Sequence, residues 1–150
     1  MKNRTQQLDH FFDLYEERFN KALRDYQVDV EGTANAFAES FIEASPVGVV
    51  SGKNDQQFRE MIPQGYRFYR NIGTESIDIV SKDIIILDDF HSMVKVFWDC
   101  KYTKKDRSKG HVEFNVKYFV QTMNNEHKIF AYITGNEQKV LEEEGLLDEE

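Results

Sequence analysis

Three features of the 150-residue sequence predict an α+β fold, with helices first and a mostly antiparallel sheet after them. Residues 91–135 hold consecutive strand-like stretches, two of which alternate strictly. Val94, Val96, Trp98, Cys100 and Tyr102 are set against Lys95, Asp99 and Lys101; Val112, Phe114, Val116, Tyr118 and Val120 are set against Glu113, Asn115, Lys117 and Gln121. Period-two alternation of this length marks a sheet with one buried face. Residues 5–27 instead repeat apolar side chains at three- and four-residue steps, the spacing of an amphipathic helix. No repeat, linker or compositional break divides residues 1–150, so the chain reads as one domain with its helices on one face of the sheet.

In the first helix the apolar stripe is Leu8, Phe12, Tyr15, Phe19, Ala22/Leu23 and Tyr26. Asp29 suits the N-cap of a second helix with stripe Val30, Ala34, Phe37/Ala38 and Phe41, which Ser45-Pro46 ends. Residues 46–52 read as a short strand. Asn54 and Gln57 resemble a capping box opening a third helix with Phe58, Met61 and Ile62, stopped or kinked by Pro63 and Gly65. From Ser76 to Leu87, Ile77 and Ile79 differ in parity from Ile84 and Ile86. A bulge near Ser81-Lys82-Asp83 puts both pairs on one face. Residues 105–109 and Asn124-Asn125 mark the later hairpin turns. Asn136 is placed as the cap of a last short helix containing Val140 and Leu141 and ended by Gly145, with a frayed acidic tail at 146–150.

The net charge of −8 argues against a nucleic-acid partner, which needs a concentrated basic surface. Cys100 is the single cysteine, on the apolar face of its strand, so a reducing compartment, the cytoplasm, fits best. No apolar run reaches the ~20 residues that span a bilayer, and the start lacks the apolar segment of a signal peptide. Neither metal-ligand spacing nor a phosphate-cradling Gly-rich loop occurs, so the sequence predicts no metal and no cofactor.

With this layout, the chain resembles the nuclear transport factor 2-like superfamily, also described as polyketide-cyclase-like or cystatin-like. The likeness is carried by the opening helix, Phe68-Tyr69-Arg70-Asn71-Ile72-Gly73-Thr74, Leu87-Asp88-Asp89-Phe90-His91, Val94-x-Val96-x-Trp98, Tyr118-Phe119-Val120 and Ala131-Tyr132-Ile133-Thr134-Gly135. The resemblance implies an α-β-α-β-β-β-β cone, a curved mixed sheet wrapped around the long helix, and usually a dimer. It implies little about chemistry, because the scaffold serves isomerases, dehydratases, cyclases and plain binding modules.

Pairing Lys101 with Glu113 sets Val96 opposite Tyr118 and Trp98 opposite Val116, with both apolar rows on one face. That face predicts a wall of Trp98, Tyr102, Phe114 and Tyr118, with Tyr15 and Phe19 from the first helix and Tyr66 or Tyr69 from the third. These rings either fill the core or line a pocket for a small apolar ligand. Phe97, Phe119, Phe130 and Tyr132 are expected on the other face, as the contact surface of a homodimer.

The predicted inward rows hold no carboxylate and no histidine, so a non-catalytic or ligand-binding module is preferred. The alternative is a small isomerase, cyclase or dehydratase with Asp99, His91 and Tyr118 as its acid–base candidates.

Overall fold

The computed structural model describes residues 3–135 and 137–145, so the expected Asn136 cap and the tail at 146–150 lie outside the described residues. In chain order its elements are α1 (Arg4–Arg24), α2 (Val30–Asn35), β1 (Phe37–Ser45), β2 (Gly48–Lys53) and α3 (Gln56–Asn71). After these come β3 (Thr74–Ile86), β4 (His91–Thr103), β5 (Lys109–Met123), β6 (Glu126–Ile133) and α4 (Glu137–Glu143). The strands form one curved sheet in the order β2-β1-β6-β5-β4-β3, antiparallel except for the β1–β6 pair.

Helix α1 starts on a capping box: the Asn3 side chain accepts from the Gln6 N–H, and Gln6 returns to the Asn3 N–H. Leu8, Phe12, Ala22 and Leu23 are buried along it. Tyr26 stands beyond the helix with φ 57°, outside the expected stripe, its ring 4.6 Å below the Arg70 guanidinium. On the other side α1 guards β3, an edge of the sheet. The Asn20 side chain accepts from the Ile77 N–H at 2.9 Å and donates to the Ile77 carbonyl at 2.8 Å, while Glu16 accepts from the Ile79 N–H. An unpaired edge is thereby satisfied by side chains rather than by another strand.

The second helix is shorter than its sequence pattern suggests. Asp29 caps it through the Gly32 N–H, but it stops at Asn35, and Phe37–Ser45 is a strand. Phe37 and Phe41, four residues apart, satisfy helix and strand periods alike. Backbone partners on both sides, β2 and β6, decide for the strand and raise the strand count to six. The Asn54 side-chain amide donates to the carbonyls of Ala34 and Phe37, pinning this junction. With Asn54 so engaged, the cap of α3 is Asp55, which accepts from the Phe58 N–H at 2.9 Å. Helix α3 continues through Pro63 and Gly65, because Phe58, Tyr66 and Tyr69 bury its inner face against the core. Gly73, at φ 98°, turns the chain into β3 where a Cβ would lie 2.1 Å from the Thr103 carbonyl oxygen.

In β3 a bulge between Ile79 and Ser81 keeps Ile77, Ile79 and Ile84 on the face of Cys100, Trp98 and Val94. On that face Lys82 reaches Asp9 at 2.8 Å and Asp13 at 2.6 Å on α1. The β4–β5 register differs from the expected one by two residues: Val96 meets Val116, Trp98 meets Phe114, and Asp99 meets Glu113. The hairpin closes from Lys104 to Ser108, which sets the slip. A two-residue slip preserves which face each side chain takes but exchanges the expected Lys101–Glu113 pairing for opposed carboxylates.

Between β5 and β6 the register breaks at Phe130, so Tyr118 pairs with Tyr132 while Phe119 pairs with Ala131. This bulge turns Tyr132 to the concave side, against its expected place on the outer face. Phe97, Phe119 and Phe130 are outside, half-buried rather than widely exposed.

An aromatic cavity with one carboxylate

Between α1, α3 and the concave sheet face lies a cavity of about 230 Å³. Tyr15 and Phe19 come from α1, Tyr69 from α3, Trp98 from β4, and Phe114 and Tyr118 from β5. Tyr66 is the remaining wall residue of the third helix; it lies outside this chamber, in a groove of about 520 Å³ toward β2 and Met61 that shares Tyr15, Phe19, Tyr69 and Tyr132. Burial pushes the Tyr66 phenol up. Tyr102 is elsewhere, packed against Leu141 of α4 with its hydroxyl donating to Glu144 at 2.7 Å. That hydrogen bond, with burial, pushes the phenol up to about 12. Val140 and Leu141 of α4 line a small apolar space beside Cys100 and Val112.

One exposed carboxylate, absent from the predicted inward rows, stands at the edge of the cavity. Glu43, on β1 beside Tyr132 of β6, lines both the chamber and the groove, and the Tyr132 hydroxyl donates to its Oε2 at 3.2 Å. A second helix running to residue 45 assigns Glu43 to no sheet face. The signal for it was the Ser45-Pro46-Val47-Gly48 turn flanked by Ile42 and Val49-Val50, a hairpin pattern.

The three acid–base candidates do not converge. Tyr118 is inside, its ring 4.9 Å from Phe12 and 6.0 Å from Tyr15. Asp99 faces out and lies 2.8 Å from His111 Nδ1, and His91 is also outside, 2.9 Å from Asp88 and with its ring against Phe130. Donor atoms of Asp99, His111 and Glu113 lie within 4.8 Å of one another, a cation-capable grouping made by cross-strand pairing and invisible to linear spacing. Among the described residues no helix is long and apolar enough to cross a membrane.

A sheet coned around its first helix, with a side-chain-lined chamber at the centre, defines the nuclear transport factor 2-like, cystatin-like class. The chain belongs to the family described as NTF2-like protein (DUF6841), whose pattern matches residues 6–137. No curated protein matches. Among solved structures, it is similar to an NTF-2 like protein of unknown function from Shewanella oneidensis MR-1 (TM-score 0.64, 16% identity, covering 89% of this chain and 100% of that one). It is also similar to a ketosteroid isomerase-like protein from Erwinia carotovora atroseptica (0.56, 11%, 85% and 91%). A third is a putative aromatic ring hydroxylase from Novosphingobium aromaticivorans (0.62, 11%, 90% and 91%). At these identities the likeness is one of fold.

Proposed function

We propose that the protein binds a small, flat, largely apolar molecule in the cavity, anchored by a hydrogen-bond donor directed at Glu43. The observation that supports this is the lining: among the described residues, Glu43 is the one charged group in a chamber that, Thr134 apart, is otherwise aromatic and aliphatic. Ligand sites combine such a wall with a few placed polar groups and usually measure roughly 300–1,000 Å³. The inner chamber, at about 230 Å³, suits one or two rings, with substituents extending into the groove. Trp98, the single tryptophan, stands in the wall and is the natural reporter. Titration with phenols, aryl amines and aryl ketones is expected to quench or shift its emission and to raise the melting temperature. Glu43→Gln is expected to weaken the donors most. A panel that moves neither signal would dispose of the reading.

The Glu43–Tyr132 contact also favours a second reading, acid–base chemistry on the bound molecule. Glu43 would accept a proton from carbon while a cavity tyrosine donates to the developing oxyanion. Deuterium uptake beside the carbonyl of an aryl ketone, lost in Glu43→Gln, is the test. No uptake with a ketone that binds leaves the binding role alone.

A further inference from the structure

Four of the rings that line the chamber close a circuit. Their centroids are 6.4 Å apart from Tyr15 to Phe37, 6.0 Å from Phe37 to Tyr132, 6.3 Å from Tyr132 to Tyr118 and 6.0 Å from Tyr118 back to Tyr15. Neighbouring planes are inclined by 61°, 66°, 35° and 61°, so the rings stand as walls rather than stacking as plates. Each comes from a different element, α1, β1, β6 and β5, so the circuit exists only in the assembled fold. With these spacings its middle lies on average no more than about 4.4 Å from the four centroids, inside the ~6 Å at which a ring face attracts a cation.

The charges point the same way. Among the described residues no Lys, Arg or His lines the chamber beside Glu43. The adjoining groove adds one cation, Lys53, and a second carboxylate, Asp55, which leaves the joint lining negative. Glu43 is exposed at the rim, where the Tyr132 hydroxyl donates to its Oε2 at 3.2 Å. Stripping all water from an ammonium is costly, and a carboxylate at the rim pairs with the charge while leaving it part of its hydration. The net charge of −8 draws cations toward the mouth from further away.

We infer that the molecule held in the chamber is an organic cation, an aralkyl amine in its protonated form. Its ammonium sits among the four rings and pairs with Glu43, and its own ring points inward to Trp98, which lies 6.2 Å from Tyr15. This rests on the reading of the chamber as a ligand site and narrows the ligand from any hydrogen-bond donor to a charged one. The same lining disfavours carboxylic acids and phosphate esters.

The experiment compares benzylamine, protonated at neutral pH, with benzyl alcohol, which has nearly the same shape and also donates a hydrogen bond but is uncharged. Binding to the full chain is followed by calorimetry and by Trp98 emission. The amine is expected to bind at least about tenfold more tightly. E43Q keeps an acceptor oxygen at the rim but removes its charge, and should weaken the amine about tenfold and the alcohol far less. Y132L removes one wall and should erode the advantage of the amine, whereas Y132F keeps the ring and should retain it. Melting temperatures of the unliganded variants show that each folds, and the wild-type comparison decides even if Y132L does not. An alcohol that binds as tightly as the amine overturns the cation and leaves the ligand site standing. So does an amine that fails where neutral phenols or ketones bind. Silence from all of these compounds removes the ligand site itself. An advantage untouched by both E43Q and Y132L comes from the overall charge of the chain and overturns the assignment to these rings.

Discussion

Replacing Asn20 by alanine tests how α1 is held to the sheet. The Asn20 amide completes two backbone hydrogen bonds of Ile77, at 2.9 and 2.8 Å, on a strand with no neighbour on that side. Ile77 is itself only 5% exposed, so water does not freely replace the amide. Each of the two neutral hydrogen bonds is worth about 1 kcal/mol where water replaces it, and about 1–3 kcal/mol, centrally about 2, where the backbone group is left unpaired. Asn20→Ala is therefore expected to cost about 2–4 kcal/mol. At about 2–4 °C per kcal/mol for a chain of this size, the melting temperature should fall by roughly 5–15 °C. Urea unfolding should show a lower midpoint at unchanged slope. Asn20→Asp is the isosteric control: it keeps the acceptor for the Ile77 N–H but turns an oxygen toward the Ile77 carbonyl, so it should be no more stable than alanine. A loss below about 0.5 kcal/mol, the level of an ordinary surface change, or an aspartate variant as stable as wild type, would show that edge satisfaction does not hold the helix.

Two further perturbations follow from titrating groups. Burial and then Arg4 hold His127 below the usual imidazole range, and Thr122 Oγ1 lies 2.8 Å from its Nδ1. The native state therefore resists protonating it, and this contribution to stability, full above pH 6.5, should be lost as pH falls through the depressed folded value. His127→Asn should flatten that part of the pH–stability curve, and an unchanged slope below pH 6.5 would contradict the assignment. Tyr102→Phe removes the hydroxyl held by Glu144 and should cost about 1 kcal/mol, felt chiefly as faster amide exchange in α4. In the wild type the same contact is fully present below pH 10 and should fade as pH rises toward about 12, because the phenol is protonated more tightly when folded.

Much of this architecture is local and could be read along the chain. The opening helix is legible because its apolar stripe keeps one period from Leu8 to Leu23. The β4 and β5 faces are legible because a period of two survives any even slip of register, and the true register differs from the expected one by two residues. The β3 bulge was readable as well, since two isoleucine pairs of opposite parity share a face only across one. Residues 37–45 were not legible: Phe37 and Phe41 fit both periods, and the choice depends on β6, about ninety residues away.

What matters most for the site lies in that non-local part. Residue types and spacing alone establish a one-face-buried sheet, an amphipathic helix to cover it and an aromatic wall between them. Long-range pairing decides that Glu43 lines the cavity, that a bulge at Phe130 brings Tyr132 beside it, and that Asp99 stands behind the wall next to His111. A strand's periodicity specifies alternation but not its partner. Which side chains meet is set by loop closure and bulges, whose energies belong to the assembled sheet.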